Sequence, residues 1–292
     1  MHDRLTAKQP KTKKRRKRFG GRQPKGLNIH ITDNDLRYFQ ALEDHGLLPS
    51  HYLKQFASHW TTGWGERLMN VYHETPYLDR PDGQDLSRYA NCQHAVYQLS
   101  SKGRELVTAR VHADGPSGPF PHQLMISTIT ASIALSLPAG YAYVTQDRIL
   151  KRSGNPLTID TSHGAVIPDA LFGIEHPGDG FRFYALEADR ATETMKPTKR
   201  RHTDIAKKIA AYQEILSSKL FKTQWSIPNL KVMTITTAPQ RMLNMVTMAD
   251  DERFIFQCEP HFGRHWRIPP VMLELVTQPY RRKQRPFDIL DC

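Results

Sequence analysis

Cysteine is nearly missing from this chain. Three copies in 292 residues, Cys92, Cys258 and Cys292, are too few and too scattered to staple a fold, which excludes a disulfide framework. Long apolar runs are missing too. The nearest, Leu124 to Leu137, is interrupted by Ser127, Thr128, Thr130 and Ser132 and stops at Pro138. It reads as a buried helix of a soluble protein, and no membrane span is expected. The N-terminus opens on charges and lacks the apolar core of a secretory signal, so a cytoplasmic location is the expectation. Acidic residues are short, 29 against 41 Lys and Arg, but the shortage is local. Residues 1–26 hold eleven of those cations against one Asp, and with them nearly all of the net charge of +12. Such a tail, with Lys13, Lys14, Arg15 and Arg16 at its centre, buries no apolar surface and is expected to be disordered. On nucleic acid it would displace counterions and add salt-sensitive affinity without sequence choice. The alternative is a solubilising or RNA-sticking tail.

What is present suffices for a sizeable core: 39% of residues are hydrophobic, and the length suits two domains. After the tail (1–26), residues 27–112 read as three helices followed by two strands around a turn. Thr32 suits a cap with Asp33 and Asp35 in the first turn, and Leu36, Phe39 and Leu42 fall at helical spacing. Further helices are expected at Ser50 to Ser58 and Thr62 to His73, then strands at Tyr77 to Pro81 and Ala95 to Leu99. That order describes a winged helix. Its third helix would present Thr61, Thr62, Trp64, Arg67 and Asn70 to double-stranded DNA, and its wing would touch phosphates through Arg80 and Arg88. Winged helices also bind proteins, and this third helix carries only one basic side chain, Arg67.

A Gly/Pro-rich linker spans 113–121. Beyond it, residues 122–260 read as helix 122–137, strands 141–150, 165–174 and 181–189, helix 203–219 and strand 230–237. An α/β domain of order αβββαβ follows, with a C-terminal extension at 261–292. A further strand at Phe254 to Gln257 and a short helix near Val271 to Val276 complete the expectation. Two of the strands place acids where a metal-dependent nuclease needs them. In Phe183 to Asp189 the period of two points Glu187 and Asp189 to one face. Antiparallel pairing through the Gly178-Asp179-Gly180 turn would bring Asp169 beside them. Three like charges at one sheet edge are relieved by a divalent cation. The plainer alternative is a solvated edge with Arg182 or Arg190 as ion-pair partners.

The αβββαβ order with Pro168-Asp169 and Glu187-Ala188-Asp189 resembles the restriction-endonuclease-like fold. With the winged helix in front, and with Leu78-Asp79-Arg80-Pro81, Tyr97 to Gly103 and Leu186 to Glu193, residues 30–240 resemble the replication-relaxation family of plasmids and mobile elements, which includes the MobC-type relaxases. The resemblance implies that Asp169 and Glu187 are metal ligands with the Ala188 carbonyl as a third, and that the ion is magnesium or manganese. It implies plasmid mobilisation or replication by nicking, alongside other mobilisation or replication proteins. The departure is at 189, where the wider superfamily has Lys and this chain has Asp. Either Asp189 is another ligand or hydrolysis has been lost, leaving a DNA-binding accessory protein. A replacement cation is available from Lys207, Lys208 or Lys196, and Tyr212 stands on the same helix as a core-edge residue or, less simply, a nucleophile.

Other residues are weaker candidates. His122 opens the first helix of the second domain, where a capping or surface role competes with a place at the site. Cys258, His261 and His265 have zinc-like spacing without a fourth partner. The clusters Arg264 to Arg267 and Arg281 to Arg285 either track a DNA backbone or belong to a solvated extension.

Overall fold

The computed structural model describes residues 29–57, 62–85, 94–107, 118–178, 180–191, 205–263 and 266–291. The N-terminal unit starts on a capping box. The Thr32 hydroxyl accepts from the Asp35 amide at 3.3 Å and the Asp35 carboxylate accepts from the Thr32 amide at 2.8 Å, which fixes the first turn of α1 (Asp33–His45). There follow β1 (Leu48–Pro49), α2 (Ser50–Phe56), α3 (Trp64–Glu74), β2 (Leu78–Asp79), β3 (Val96–Leu99) and α4 (Ser101–Arg104). Strand β3 lies between β1 and β2 and is antiparallel to both, with Leu78 opposite Leu99. Tyr38, Phe39, Leu53, Trp64, Leu68 and Val71 fill the core above this small sheet. The sequence gives no sign of β1, because two residues carry no periodicity; its Pro49 is tolerated at a sheet edge.

The next helix, α5 (Phe120–Ser136), is apolar around its whole circumference and buried around it as well. Met125, Ile126, Ile129 and Ile133 join the core beneath the large sheet, while Ala131 joins the core of the N-terminal unit. Its buried hydroxyls bond back along the helix, Thr128 to the Leu124 carbonyl at 2.7 Å and Thr130 to that of Ile126 at 3.1 Å. Thr130 also meets His45 Nδ1 at 3.0 Å, and Ser132 meets the Tyr52 hydroxyl at 3.0 Å. Helix α5 therefore belongs to both halves of the molecule. No helix among the described residues is long and apolar enough to cross a membrane.

The remaining elements are β4 (Ala142–Val144), α6 (Gln146–Ser153), β5 (Ile159–Thr161), β6 (Gly164–Val166), β7 (Ala170–His176), β8 (Gly180–Asp189), α7 (Ile205–Ser217), α8 (Leu220–Gln224), β9 (Lys231–Thr236), α9 (Pro239–Met248), β10 (Phe254–Cys258) and α10 (Glu274–Thr277). They build an α/β architecture on a mixed sheet of order β10-β9-β8-β7-β4. The meander β4-β7-β8 is antiparallel, and β8, β9 and β10 run parallel. Tyr184, Leu186 and Ala188 face the core shared with α5, whereas Phe183 and Ala185 face the core shared with α7.

Two expected strands are corrected. The run 141–150 stops at Val144 because the Thr145 hydroxyl accepts from the Arg148 amide at 3.3 Å and caps α6, which Gly154 ends in the left-handed region at φ 69°. The run 165–174 is split before Pro168: β6 pairs with β5, and β7 begins at Ala170. The segment from 261 onward is built into the protein. Phe262, Met272, Leu275, Tyr280, Phe287 and Ile289 are buried in the core that holds α5.

Candidate active site

Asp169 sits one residue before β7, and the β7–β8 register, with Ala170 opposite Leu186, sets it across from Glu187. Backbone bonds lock this pairing. The Asp169 amide donates to the Leu186 carbonyl at 3.0 Å, and the Ala188 amide donates to Asp169 Oδ2 at 2.8 Å. Its other oxygen lies 3.1 Å from His122 Nε2, at the start of α5. Glu187 is buried and points under α7. Lys208 and Tyr212, one helical turn apart, present their polar ends to the same carboxylate. Lys208 Nζ donates to Oε2 at 3.1 Å, and the Tyr212 hydroxyl donates to Oε1 at 2.5 Å. Burial pushes the Glu187 pKa up to about 7; Lys208 opposes the rise and the charge of Asp169 adds to it. Burial, with the adjacent Glu187 charge, also lifts the Tyr212 phenol well above its ordinary value.

The three acids line one cavity of about 170 Å³ with His122, Lys208 and Tyr212, so the expected convergence of 169, 187 and 189 is what the strands build. The three-ligand metal set is not. Among the described residues, no group of three or more His, Cys, Asp or Glu is arranged to hold a metal ion. Asp189 is taken by α9: Arg241 donates to its carboxylate from Nε at 2.5 Å and Nη2 at 2.9 Å, and Thr236 Oγ1 adds a bond at 2.7 Å. Its role is corrected from free ligand to half of a buried ion pair, and that partner is neither Arg182 nor Arg190.

Of the two candidate lysines among the described residues, Lys208 enters the cavity. Lys207 is exposed, its Nζ near Gly164 of the β5–β6 hairpin, so it is withdrawn from the site. Asp169 and Glu187 remain as a carboxylate pair from adjacent strands at one cavity, the donor type that magnesium takes one or two of.

The candidate DNA contacts divide. Thr62, just before α3, and Asn70, on it, are exposed. Trp64 is core, edge-on to Tyr38 at 5.4 Å. Arg67 turns inward to Asp35, Nη2 to Oδ2 at 2.5 Å, and to the His30 carbonyl at 2.6 Å. Arg80 lies over the rings of Tyr72 and Tyr97 at 5.0 and 5.3 Å. Trp64 and Arg67 are thus corrected to structural roles, because the period that exposes one face of α3 buries the face they occupy. Thr61, Arg88, Lys196, His265 and the tail residues Lys13, Lys14, Arg15 and Arg16 lie outside the described residues. In the zinc-spaced trio, His261 pairs with Glu259 and Cys258 is a free thiol.

Sequence reasoning missed Arg241 and Thr236, which come from a later crossover and carry no local mark. His122 is legible as a helix opener, and the structure sets it at the site, against Asp169. The comparison with protein families decides what the chain is related to: the Replication-relaxation family model matches residues 39–230, about two thirds of the length. The chain belongs to the replication-relaxation family. That span runs from within α1 to the residue before β9 and encloses Asp169, Glu187, Lys208 and Tyr212. Neither a curated protein nor a solved structure matches the chain. Membership of the replication-relaxation family suggests a role in plasmid replication or mobilisation.

Proposed function

We propose that this protein acts on plasmid DNA in the cytoplasm, gripping duplex DNA with its N-terminal unit and nicking a phosphodiester bond at the Asp169–Glu187 cavity. The observation that carries the reading is the placing of two carboxylates from paired strands beside a lysine at one cavity, with Asp169, Glu187 and Lys208 all inside the family-matched span. The order α1-β1-α2-α3-β2-β3, with β3 central, supports a winged helix as the grip. Asp169 and Glu187 would hold magnesium or manganese, which when bound polarises a phosphate and acidifies a water. His122 and the Ala188 amide orient Asp169, and Tyr212 orients Glu187. Lys208 sets positive charge where a phosphate would gain negative charge, the task that the superfamily gives to a lysine at the position of Asp189.

A supercoiled plasmid incubated with protein and Mg²⁺ or Mn²⁺ tests this. Metal-dependent open circles are expected, with Asp169→Ala and Glu187→Ala reducing nicking at least 100-fold while retaining gel retardation. Unchanged nicking in both variants removes the site. One observation favours a second reading, a noncatalytic DNA-binding accessory of the mobilisation or replication machinery: position 189 holds no lysine and is neutralised by Arg241. Bound but intact plasmid under every metal condition supports it.

A further inference from the structure

A second cavity, about 520 Å³, opens at the far end of β8 and β9 from the acids. Arg182 is five residues before Glu187, about 17 Å of strand, so the two places are distinct. Arg182, Lys219, Lys222 and Lys231 line this cavity, and among the described residues no carboxylate does. A fifth cation there, Arg253, is committed to Asp251 and to the Leu216 carbonyl. The other four have no acidic partner within ion-pair distance among the described residues. Such crowding is unfavourable. Burial, then the charges of Arg282 and Arg182, depress the Lys231 pKa against the weaker opposing pull of Asp251 and Glu252, and its ammonium rests 4.3 Å over the Phe287 ring. An anion would relieve this repulsion.

The surroundings select the kind of anion. Phe221 and Phe287 are buried, and Arg282 also lies against the Phe287 ring at 5.4 Å, so no aromatic face is open for a base to stack on. Asn229 spends its amide on β8, accepting from the Phe183 amide at 3.0 Å and donating to the Phe181 carbonyl at 2.8 Å. What remains is charge on long side chains, without neutral donors to read a particular small molecule. We propose that this cavity holds the phosphodiester backbone of a nucleic-acid strand through Arg182, Lys219, Lys222 and Lys231, an inference that rests on the DNA-processing reading and adds a second, sequence-blind anchor to it.

The test uses the full chain with a chelator present, measuring binding of a labelled 20-nucleotide single strand and, separately, of inorganic pyrophosphate. Arg182→Gln/Lys222→Gln is compared with Arg148→Gln/Arg152→Gln, a charge-matched pair on α6. The cavity pair is expected to weaken strand binding at least fivefold at about 0.1 M salt and to lower the slope of log K against log salt by about 1.4, two phosphates' worth. The α6 pair is expected to change affinity less than twofold. Equal losses in the two pairs overturn the proposal, as does a loss confined to pyrophosphate, which would assign the cavity to a free phosphoanion. Chelation keeps Asp169 and Glu187 out of the measurement, so a failed nicking assay and a failed strand assay are separate results.

Discussion

Asp35 is fully buried, and the Arg67 guanidinium reaches it through two hydrogen bonds, at 2.5 and 3.2 Å. Burial works to raise the Asp35 pKa, but the bonds from Arg67 and Thr32 outweigh it and hold the carboxyl below its ordinary value. A depressed carboxylate stabilises the fold above its unfolded pKa, about 4, and that contribution is lost as pH falls through the folded value. Stability is therefore expected to drop on acidification below about pH 4, and Asp35→Asn to flatten that part of a urea-unfolding series. Arg67→Ala strands a buried charge and is expected to cost about 3 kcal/mol. Its effect on DNA affinity should vanish once the folded fraction is matched; a loss that persists would return Arg67 to the interface. Tyr212 lends itself to a similar separation. Tyr212→Phe leaves Glu187 with one donor fewer and is expected to keep nicking within tenfold, with no covalent protein–DNA adduct in either form on a denaturing gel.

At the level of elements, the Asp189–Arg241 pair ties the end of β8 to the first turn of α9 across the end of β9. Removing either partner leaves the other buried, an expected loss of about 3–5 kcal/mol for Asp189→Ala or Arg241→Ala. The double variant should lose less than the sum, with a coupling of about 2 kcal/mol in denaturant unfolding. Additive losses would refute the clamp. How much of this was legible depended on the distance over which each contact acts. The alternation of Glu187 and Asp189 and the one-turn spacing of Lys208 and Tyr212 are local periodicities, open to reading from the chain. Position 241 is joined to 189 only after an α7 crossover and a parallel strand have been laid down, and no residue pattern reports such a meeting. Strand β4 failed at Val144 for a different reason: a threonine cap outweighed a β-rich run, a choice settled by one side-chain bond.

Across the whole molecule, α5 removes the independence that a Gly/Pro-rich linker would suggest. The two sides of the protein pack on the same helix, so Ile129→Ala, with Ile129 wholly buried, is expected to cost about 2–5 kcal/mol and to lower a single calorimetric transition. Two separated transitions would show that the halves melt apart. The contacts around Ser132 carry the last consequence. Its hydroxyl accepts from the Met272 amide at 3.0 Å and meets Tyr52, whose own hydroxyl donates to the Pro270 carbonyl at 2.7 Å. His51 reaches the neighbouring Pro269 carbonyl at 2.9 Å. Front, middle and tail of the polypeptide are thus pinned at one junction, and under the proposed function a DNA grip fixed in this way would act as a ruler. On a plasmid, it would break the strand at a constant number of base pairs from the sequence it holds, and moving that sequence would move the break by the same count.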